Sequence, residues 1–457
     1  MNRIANRSWI VIVVALALVA GTVFFAWEYV TNGRDWAMFA GSPYVYSGSK
    51  LSAGLVTDRA GELLLNMNGG MAYSQDPALR QAMLHWIGDR DGNVYTPYYD
   101  YYTVEMVGYD LLNGVYAYGG GAGQMQLTLS GEAMKVALEA MGDRKGTVAV
   151  YNYMTGEILC ALSTPTFDPD DPPDLSGEDA QLYDGIYLNR FMQSAYLPGS
   201  IFKIVTAAAA LEIIPDIMEQ TFTCTGKLEV GGGSVTCESY HGTQNLRKAL
   251  TNSCNCAFAQ IALQIGGEKL QQYADAFGIT SEVSFDGWTT TAGQFEGGDA
   301  QPYGLAWSGI GQYTDLVNPC QYLSFMGAIA GGGVGAKPYV VESIVIGDTD
   351  AHRAETQMGQ RIMSLSTART IQELMRGNVE GHYGVENFPD VWVCAKTGTG
   401  ELDGDIEPNA TLCGYVLDER YPLAFMVVVQ EGGYGRQTCI PIITPVLEAC
   451  MDVLDRE

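Results

Sequence analysis

The sequence predicts a mixed α/β chain of the α+β type: an apolar N-terminal helix, a small β-rich segment and a larger α/β domain. Three observations carry that prediction. An apolar run fills residues 9–30. Short alternating patches rich in Gly, Tyr and Asn fill 31–145. From 146 to 457, strand patterns at both ends enclose helix patterns, so the two ends of that domain are expected to meet in one sheet. The chain has 457 residues, too many for one ordinary domain, and its 27 Tyr, 14 Phe and 7 Trp can fill a sizeable core.

Arg3 and Arg7 precede the apolar run, and Glu28 and Asp35 close it. A run of about 20 residues, at about 1.5 Å per residue, spans a hydrocarbon core of about 30 Å. A cleaved signal peptide would be shorter and would end in a small-x-small site, which is not evident. Arginines before the run place residues 1–8 in the cytoplasm, 9–30 in the membrane, and the rest outside, as a single-pass protein. The formal charge of −27 argues against nucleic acid and against a polybasic grip on anionic lipid. An anionic substrate would therefore need a local positive charge.

Residues 31–145 read as a small pedestal. The tyrosine-rich stretch 95–118 is more readily strand and loop packing than a binding face. Tyr118-Gly-Gly-Gly-Ala-Gly123 reads as a turn, because no GK[ST] follows to make a phosphate loop. From Gly146 the texture changes. Gly146–Tyr153 and Glu157–Leu162 read as strands joined by the turn Met154-Thr-Gly156. The Asp/Pro-rich stretch 165–185 reads as an exposed loop. Ser200 to Ile213 reads as a helix introduced by Pro198-Gly199. Strands are expected at Val391–Lys396, Thr411–Leu417 and Leu423–Gln430, and a last helix at about Ile442–Leu454.

Ten cysteines in an exported chain raise the question of disulfides. Cys224 and Cys237 flank two short strands joined by a glycine turn, and opposed hairpin positions can bring their sulfurs together, so this pair is the disulfide candidate. The others sit mostly in apolar stretches and read as small buried hydrophobes. With no CxxC pair and four scattered histidines, no metal and no cofactor is expected.

Three constellations carry the chemistry: Ser200-Ile-Phe-Lys203, Ser253-Cys-Asn255 and Lys396-Thr-Gly-Thr399. Residues i and i+3 share a helix face, so Lys203 can reach the Ser200 hydroxyl. Serine is a weak nucleophile that needs an adjacent base, and lysine serves when burial or a neighbouring cation favours its neutral form. Lys396 could be that cation. Ser253 can relay a proton, Asn255 can orient Lys203 and meet a substrate amide, and Gly398 lets a substrate lie against the strand edge. Lys396 and Thr399 can hold a carboxylate. Ser47-Gly-Ser-Lys50 also matches SxxK, but it lies in a Gly/Ser-rich loop without a helix signal.

With these motifs in this order, the chain resembles the penicillin-binding protein family. Tyr196-Leu-Pro-Gly-Ser-Ile-Phe-Lys203, His241-Gly242, Ala249–Asn255, Gly311-Gln312, Asn318-Pro319, Gly156–Leu159, Phe167–Pro169 and Thr57–Gly61 all match family segments. The resemblance implies a class B-like, monofunctional peptidoglycan D,D-transpeptidase, whose fold is an antiparallel five-stranded sheet flanked by helices. It implies Ser200 as nucleophile, Lys203 as base, and Ser253 and Asn255 as assistants. Lys396, Thr397, Gly398 and Thr399 would bind the terminal carboxylate of a D-Ala-D-Ala stem peptide, and the backbone N–H groups of Ser200 and Thr399 would form the oxyanion hole. β-Lactams would be inhibitors, and a polytopic glycan polymerase the membrane partner. Leu127-Thr-Leu-Ser130 departs from the pattern, since relatives carry Asp after the Thr-hydrophobic pair. The pedestal is short, and no room remains for a glycosyltransferase domain.

Two rival readings keep the same motifs. A D,D-carboxypeptidase would pass the acyl group to water, and a non-enzymatic β-lactam sensor or scaffold would need a signalling domain that residues 1–8 cannot hold. A β-lactamase would need a water-activating Glu loop, of which there is no clear trace.

Overall fold

A computed structural model describes residues 2–456 except 40, 43, 44, 48, 49, 110, 113, 116–121, 177, 299 and 403. The predicted glycine turn at 118–121 therefore lies outside the described residues. The N-terminal helix runs Asn2–Ala37, longer than the apolar run alone, because Asn2–Ser8 and Thr31–Ala37 contain no helix breaker beyond Gly33. Its apolar side chains, Trp9, Ile10, Leu16, Phe24 and Trp27 among them, are exposed, and nothing in the described protein covers them. An uncovered apolar helix of this length is long enough to cross a membrane.

The large domain is organised by a five-stranded antiparallel sheet in the order Val393–Gly400, Asn409–Val416, Leu423–Val429, Gly146–Asn152, Ile158–Thr164. The two ends of the domain meet in this sheet, as the strand patterns predict. Every residue of the four strands from Asn409–Val416 to Ile158–Thr164 is buried, so both faces are covered. Pro319–Ala330 packs on the sheet beside Leu365–Asn378, while Gly435–Leu454 packs on it together with Gly131–Met141.

The last helix begins at Gly435, seven residues before the predicted Ile442, and contains Pro441 and Pro445. A proline inside a helix costs about 3 kcal/mol or more. Here Ile440, Ile442, Ile443, Val446 and Leu447 are all buried against the sheet, each contributing about 1.5–3 kcal/mol, and packing overrides the breaker. The predicted loop 165–185 contains a 3₁₀ turn, Glu178–Tyr183, and is pinned where Asp168 accepts from Arg80 (2.5 and 2.7 Å).

A second sheet has six strands, ordered Thr349–Arg353, Val341–Ile346, Gln124–Leu127, Leu55–Thr57, Leu63–Asn66, Ala72–Tyr73. Its first two strands come from after residue 146 and the other four from before it, so the two parts of the chain share a sheet. Within 31–145, Asp58 ties its own turn to a helix: its carboxylate accepts from Ala60 and Glu62 and from Gly131 (2.9 Å) at the start of Gly131–Met141. Ser130, standing in the segment that departs from the family pattern, caps that helix through Ala133 N–H. In the tyrosine-rich stretch Tyr98 and Tyr102 are buried, as packing predicts, whereas Tyr95 and Tyr101 are exposed, and Tyr116 and Tyr118 lie outside the described residues.

Candidate active site

Ser200 lies in a short 3₁₀ turn, Gly199–Phe202, that leads directly into the helix Lys203–Ile213. The helix predicted from Ser200 thus begins tighter than an α-helix, yet Lys203 still reaches back to the serine. Lys203 Nζ is 2.8 Å from Ser200 Oγ, 2.6 Å from the Ser253 carbonyl, 2.7 Å from Asn255 Oδ1 and 3.2 Å from Ser253 Oγ. The Ser253 and Asn255 carbonyls can only accept. A neutral amine has two N–H bonds and one lone pair, so those two oxygens take both hydrogens and the lone pair is left for the Ser200 hydroxyl. Lys203 is fully buried, and that burial pushes its pKa down to about 8, partly offset by Cys237, Cys254 and Glu238 nearby.

Ser253 follows the helix Leu246–Thr251 in a left-handed conformation, φ 50°, which is strained for a residue other than glycine. Its amide donates to the Leu250 carbonyl and the Cys254 amide to Ala249, closing the turn before the helix Asn255–Ile265 begins. The strain sets Ser253 Oγ between two lysines, 3.0 Å from Lys396 Nζ and 3.2 Å from Lys203 Nζ. Lys396 is also fully buried. Burial first, and then the charge of Lys203, holds its pKa well below the ordinary lysine range.

Lys396-Thr-Gly-Thr399 does not follow the strand, as the sequence suggested; it forms the second half of Val393–Gly400. The strand continues because glycines let the serine turn come close. A Cβ on Gly398 would lie 2.6 Å from the Pro198 carbonyl, and one on Gly400 2.4 Å from the Leu197 carbonyl. This strand is the edge of its sheet. Thr397 N–H donates outward to Tyr383 Oη (3.0 Å), away from the neighbouring strand. Thr399, two residues on, therefore turns its backbone to the same open side, and its carbonyl accepts from Gln312 Nε2 (3.0 Å).

The turn and the edge strand meet at Gly199, which has φ 60°. A Cβ there would lie 2.2 Å from Thr399 O and 2.8 Å from Thr399 N. Gly199→Ala is thus expected to push Ser200 and Thr399 apart. A displacement near 1 Å can cost about 10² in rate, so the second-order rate constant for labelling by a fluorescent penicillin should fall by about that factor.

All three motifs line one open cleft of about 580 Å³. Arg436 and His382 line it too, and burial followed by the Arg436 charge holds the His382 pKa below its usual value. The buried Lys203 and Lys396 stand against the cleft's Ser200 and Ser253, while Glu238, Glu401 and Glu407 line it beside Arg436, so the lining carries both signs of charge.

The sequence reading missed several supports. Tyr383 holds Thr397 through both its amide and its hydroxyl (3.1 Å), and Tyr322 donates to the Ile201 carbonyl beneath the serine turn (2.8 Å). Thr411 donates to the Pro198 carbonyl (2.8 Å). Gln312 and Thr411 stood in segments already singled out, but neither was given a role there. The second SxxK does not form a helical turn: Ser47 and Lys50 are paired backbone residues of a small hairpin, Tyr46–Ser47 with Lys50–Leu51.

The Cys224–Cys237 disulfide is not formed; all ten cysteines are free thiols. The hairpin itself exists, with Lys227–Val230 paired to Gly233–Thr236. Cys224, however, ends a strand that pairs with Gly242–Asn245 instead. The two cysteines are not cross-strand partners, and each sulfur lies against His241.

Residues 146–452 match the family model described as "Penicillin binding protein transpeptidase domain". Among curated proteins, the chain is 28% identical over 363 residues to the peptidoglycan D,D-transpeptidase PbpA of Mycobacterium tuberculosis, covering 72% of each chain. It is 30% identical over 326 residues to the stage V sporulation protein D of Bacillus subtilis, covering 68% of this chain and 49% of that one. Its fold is similar to the D,D-transpeptidase domain of a peptidoglycan glycosyltransferase from Eggerthella lenta (TM-score 0.75, 23% identity, 88% of this chain and 98% of that one). It is equally similar to a ceftriaxone acyl-enzyme complex of penicillin-binding protein A from M. tuberculosis (TM-score 0.73, 23% identity, 87% and 98%). With the family model spanning most of the chain and the three motifs closed around one lysine, the chain belongs to the penicillin-binding protein transpeptidase family.

Proposed function

We propose that this protein is a membrane-anchored peptidoglycan D,D-transpeptidase of the class B type that works through a serine acyl-enzyme and is acylated by β-lactams. The single observation that carries the reading is the network around Lys203, whose Nζ stands 2.8 Å from Ser200 Oγ and, as the neutral amine, would keep its lone pair for that hydroxyl.

Lys203 takes the Ser200 proton as Oγ attacks the penultimate D-Ala carbonyl of a stem peptide. The backbone N–H groups of Ser200 and Thr399 receive the developing oxyanion; one such donor is typically worth about 10²–10³ in rate. The outward backbone of Thr399 and its closeness to Gly199 support that role. Lys396, Thr397 and Thr399 bind the terminal carboxylate, with Gly398 giving clearance and Arg436 adding charge. The proton then moves through Ser253 Oγ to the departing D-Ala amine. The acyl group passes to the amine of a second stem as Lys203 takes that amine's proton and hands it to Ser200 Oγ, which leaves as the free hydroxyl. Asn255 keeps Lys203 aligned and faces the substrate's amide.

Arg3 and Arg7 before the anchor, against Glu28 and Asp35 after it, support a cytoplasmic N-terminus, a single pass and a catalytic domain outside. The uncovered apolar anchor helix is the surface we assign to a polytopic glycan polymerase.

The test is to incubate the purified full chain with a D-Ala-D-Ala stem peptide and an acceptor stem, and to follow products by mass spectrometry. Released D-Ala together with a cross-linked dimer is expected. Release with only a shortened stem would make the protein a carboxypeptidase. No release and no acyl adduct on Ser200 would overturn the enzymatic reading altogether.

A further inference from the structure

Beside the cleft lies a group of side chains the transpeptidation chemistry does not use. Cys224, Cys237, His241 and Cys254 bring three sulfurs and an imidazole nitrogen within 4.8 Å of one another. His241 Nδ1 is 3.4 Å from Cys237 Sγ and 3.6 Å from Cys224 Sγ, and Cys237 Sγ is 3.9 Å from Cys254 Sγ. Around a tetrahedral zinc, with Zn–S about 2.3 Å and Zn–N about 2.0 Å, neighbouring ligands stand about 3.8 Å (S to S) and about 3.6 Å (S to N) apart. The three separations fall on those values. They are far from the ~2.05 Å of a disulfide. Two of the sulfurs belong to buried residues, and the other two ligands are half-buried, as a closed structural site requires.

We propose that Cys224, Cys237, Cys254 and the imidazole of His241 bind one zinc ion, and that this zinc positions the Ser253–Asn255 motif. The ligands come from four places: the end of Thr221–Cys224, the residue after Gly233–Thr236, the residue before Gly242–Asn245, and the N-cap of Asn255–Ile265. Cys254 is the middle residue of the SxN motif. Its neighbour Ser253 holds the strained φ of 50°, and its other neighbour Asn255 donates through Nδ2 to the Thr236 carbonyl (2.9 Å), next to Cys237. A metal bonded to Cys254 and Cys237 would lock the strained turn to the small strands. The thiols release their protons to solvent on binding, with no change in oxidation state. The sequence hides the site because its ligands are spread over 31 positions and follow no CxxC spacing. The role as a positioning device rests on the function proposed above, but the metal site does not.

The full chain, purified in detergent without chelator, should carry one zinc per molecule by elemental analysis. Replacing zinc with Co²⁺ should give an intense thiolate-to-cobalt charge-transfer band. Cys224→Ser combined with His241→Ala should lose both signals. Chelation should slow labelling by fluorescent penicillin about 10–100-fold, the cost typical of disturbing the surroundings of a metal-linked site, and added Zn²⁺ should restore it in the wild type alone. A metal-free wild type that also shows no cobalt band would overturn the site, as would a disulfide among Cys224, Cys237 and Cys254 in the purified protein. Unchanged labelling after zinc removal would overturn the positioning role and leave the metal standing. If the double variant does not fold, the metal content and cobalt spectrum of the wild type decide alone.

Discussion

Ser200→Ala is expected to abolish covalent penicillin binding, with no adduct visible in the intact mass even after long exposure. Removing the nucleophile of a serine acyl-transfer site costs about 10⁶ in kcat, which takes acylation below detection. The variant should fold normally. The Ser200 hydroxyl makes its hydrogen bond to Lys203, and Lys203 keeps the Ser253 carbonyl and Asn255 as partners when it is gone. Ser47→Ala, in the hairpin copy of SxxK, should label like the wild type. Equal labelling of Ser200→Ala and wild type would move the nucleophile elsewhere and dissolve the mechanism.

Lys203→Met keeps the length of the side chain and removes the base. General-base catalysis of this kind is worth about 10²–10⁴, so the second-order acylation rate constant should fall by up to about 10⁴ while Ser200 remains in place. The pH dependence separates this role from a packing role. Burial pushes the Lys203 pKa down to about 8, and the working form of a base is the deprotonated one. The wild-type acylation rate should therefore rise with pH up to and through about 8 and then level off. In Lys203→Met that rising limb should vanish, leaving a slow, flat profile. A wild-type profile flat from pH 6 to 9 would show that Lys203 is not the base.

How far the sequence could be read depends on whether the deciding contact was local. The SxxK spacing is local, and the Ser200–Lys203 contact follows from it. The five strands announced themselves by apolar patterning, and the large domain's two ends do meet in one sheet. Contacts between distant segments left no such trace. Tyr383 reaches Thr397 from a turn 14 residues earlier, and Gln312 reaches Thr399 across 87 positions. The strand expected to end at Lys396, where the apolar pattern stops, runs on to Gly400, because Gly398 and Gly400 admit the carbonyls of Pro198 and Leu197. The disulfide expectation failed for a related reason. Cys224 and Cys237 flank a hairpin, but the partner of the Cys224 strand is Gly242–Asn245. Ser253 is the sharpest case, because a polar residue at φ 50° is fixed by the turn around it and not by its own preference.

The six-stranded sheet carries a consequence for any attempt to study the catalytic half by itself. Val341–Ile346 pairs with Gln124–Leu127, and Thr128 Oγ1 donates to the Ile158 carbonyl (2.8 Å) across the same seam. A fragment cut at residue 146 would strip Val341–Ile346 of one of its two neighbours and uncover a row of unpaired amides and carbonyls from Val341 to Val345. Such a bare margin invites self-association between fragments. The smallest piece that can stay monomeric in solution therefore begins ahead of Leu55, just past the anchor, although the chemistry begins almost a hundred residues later.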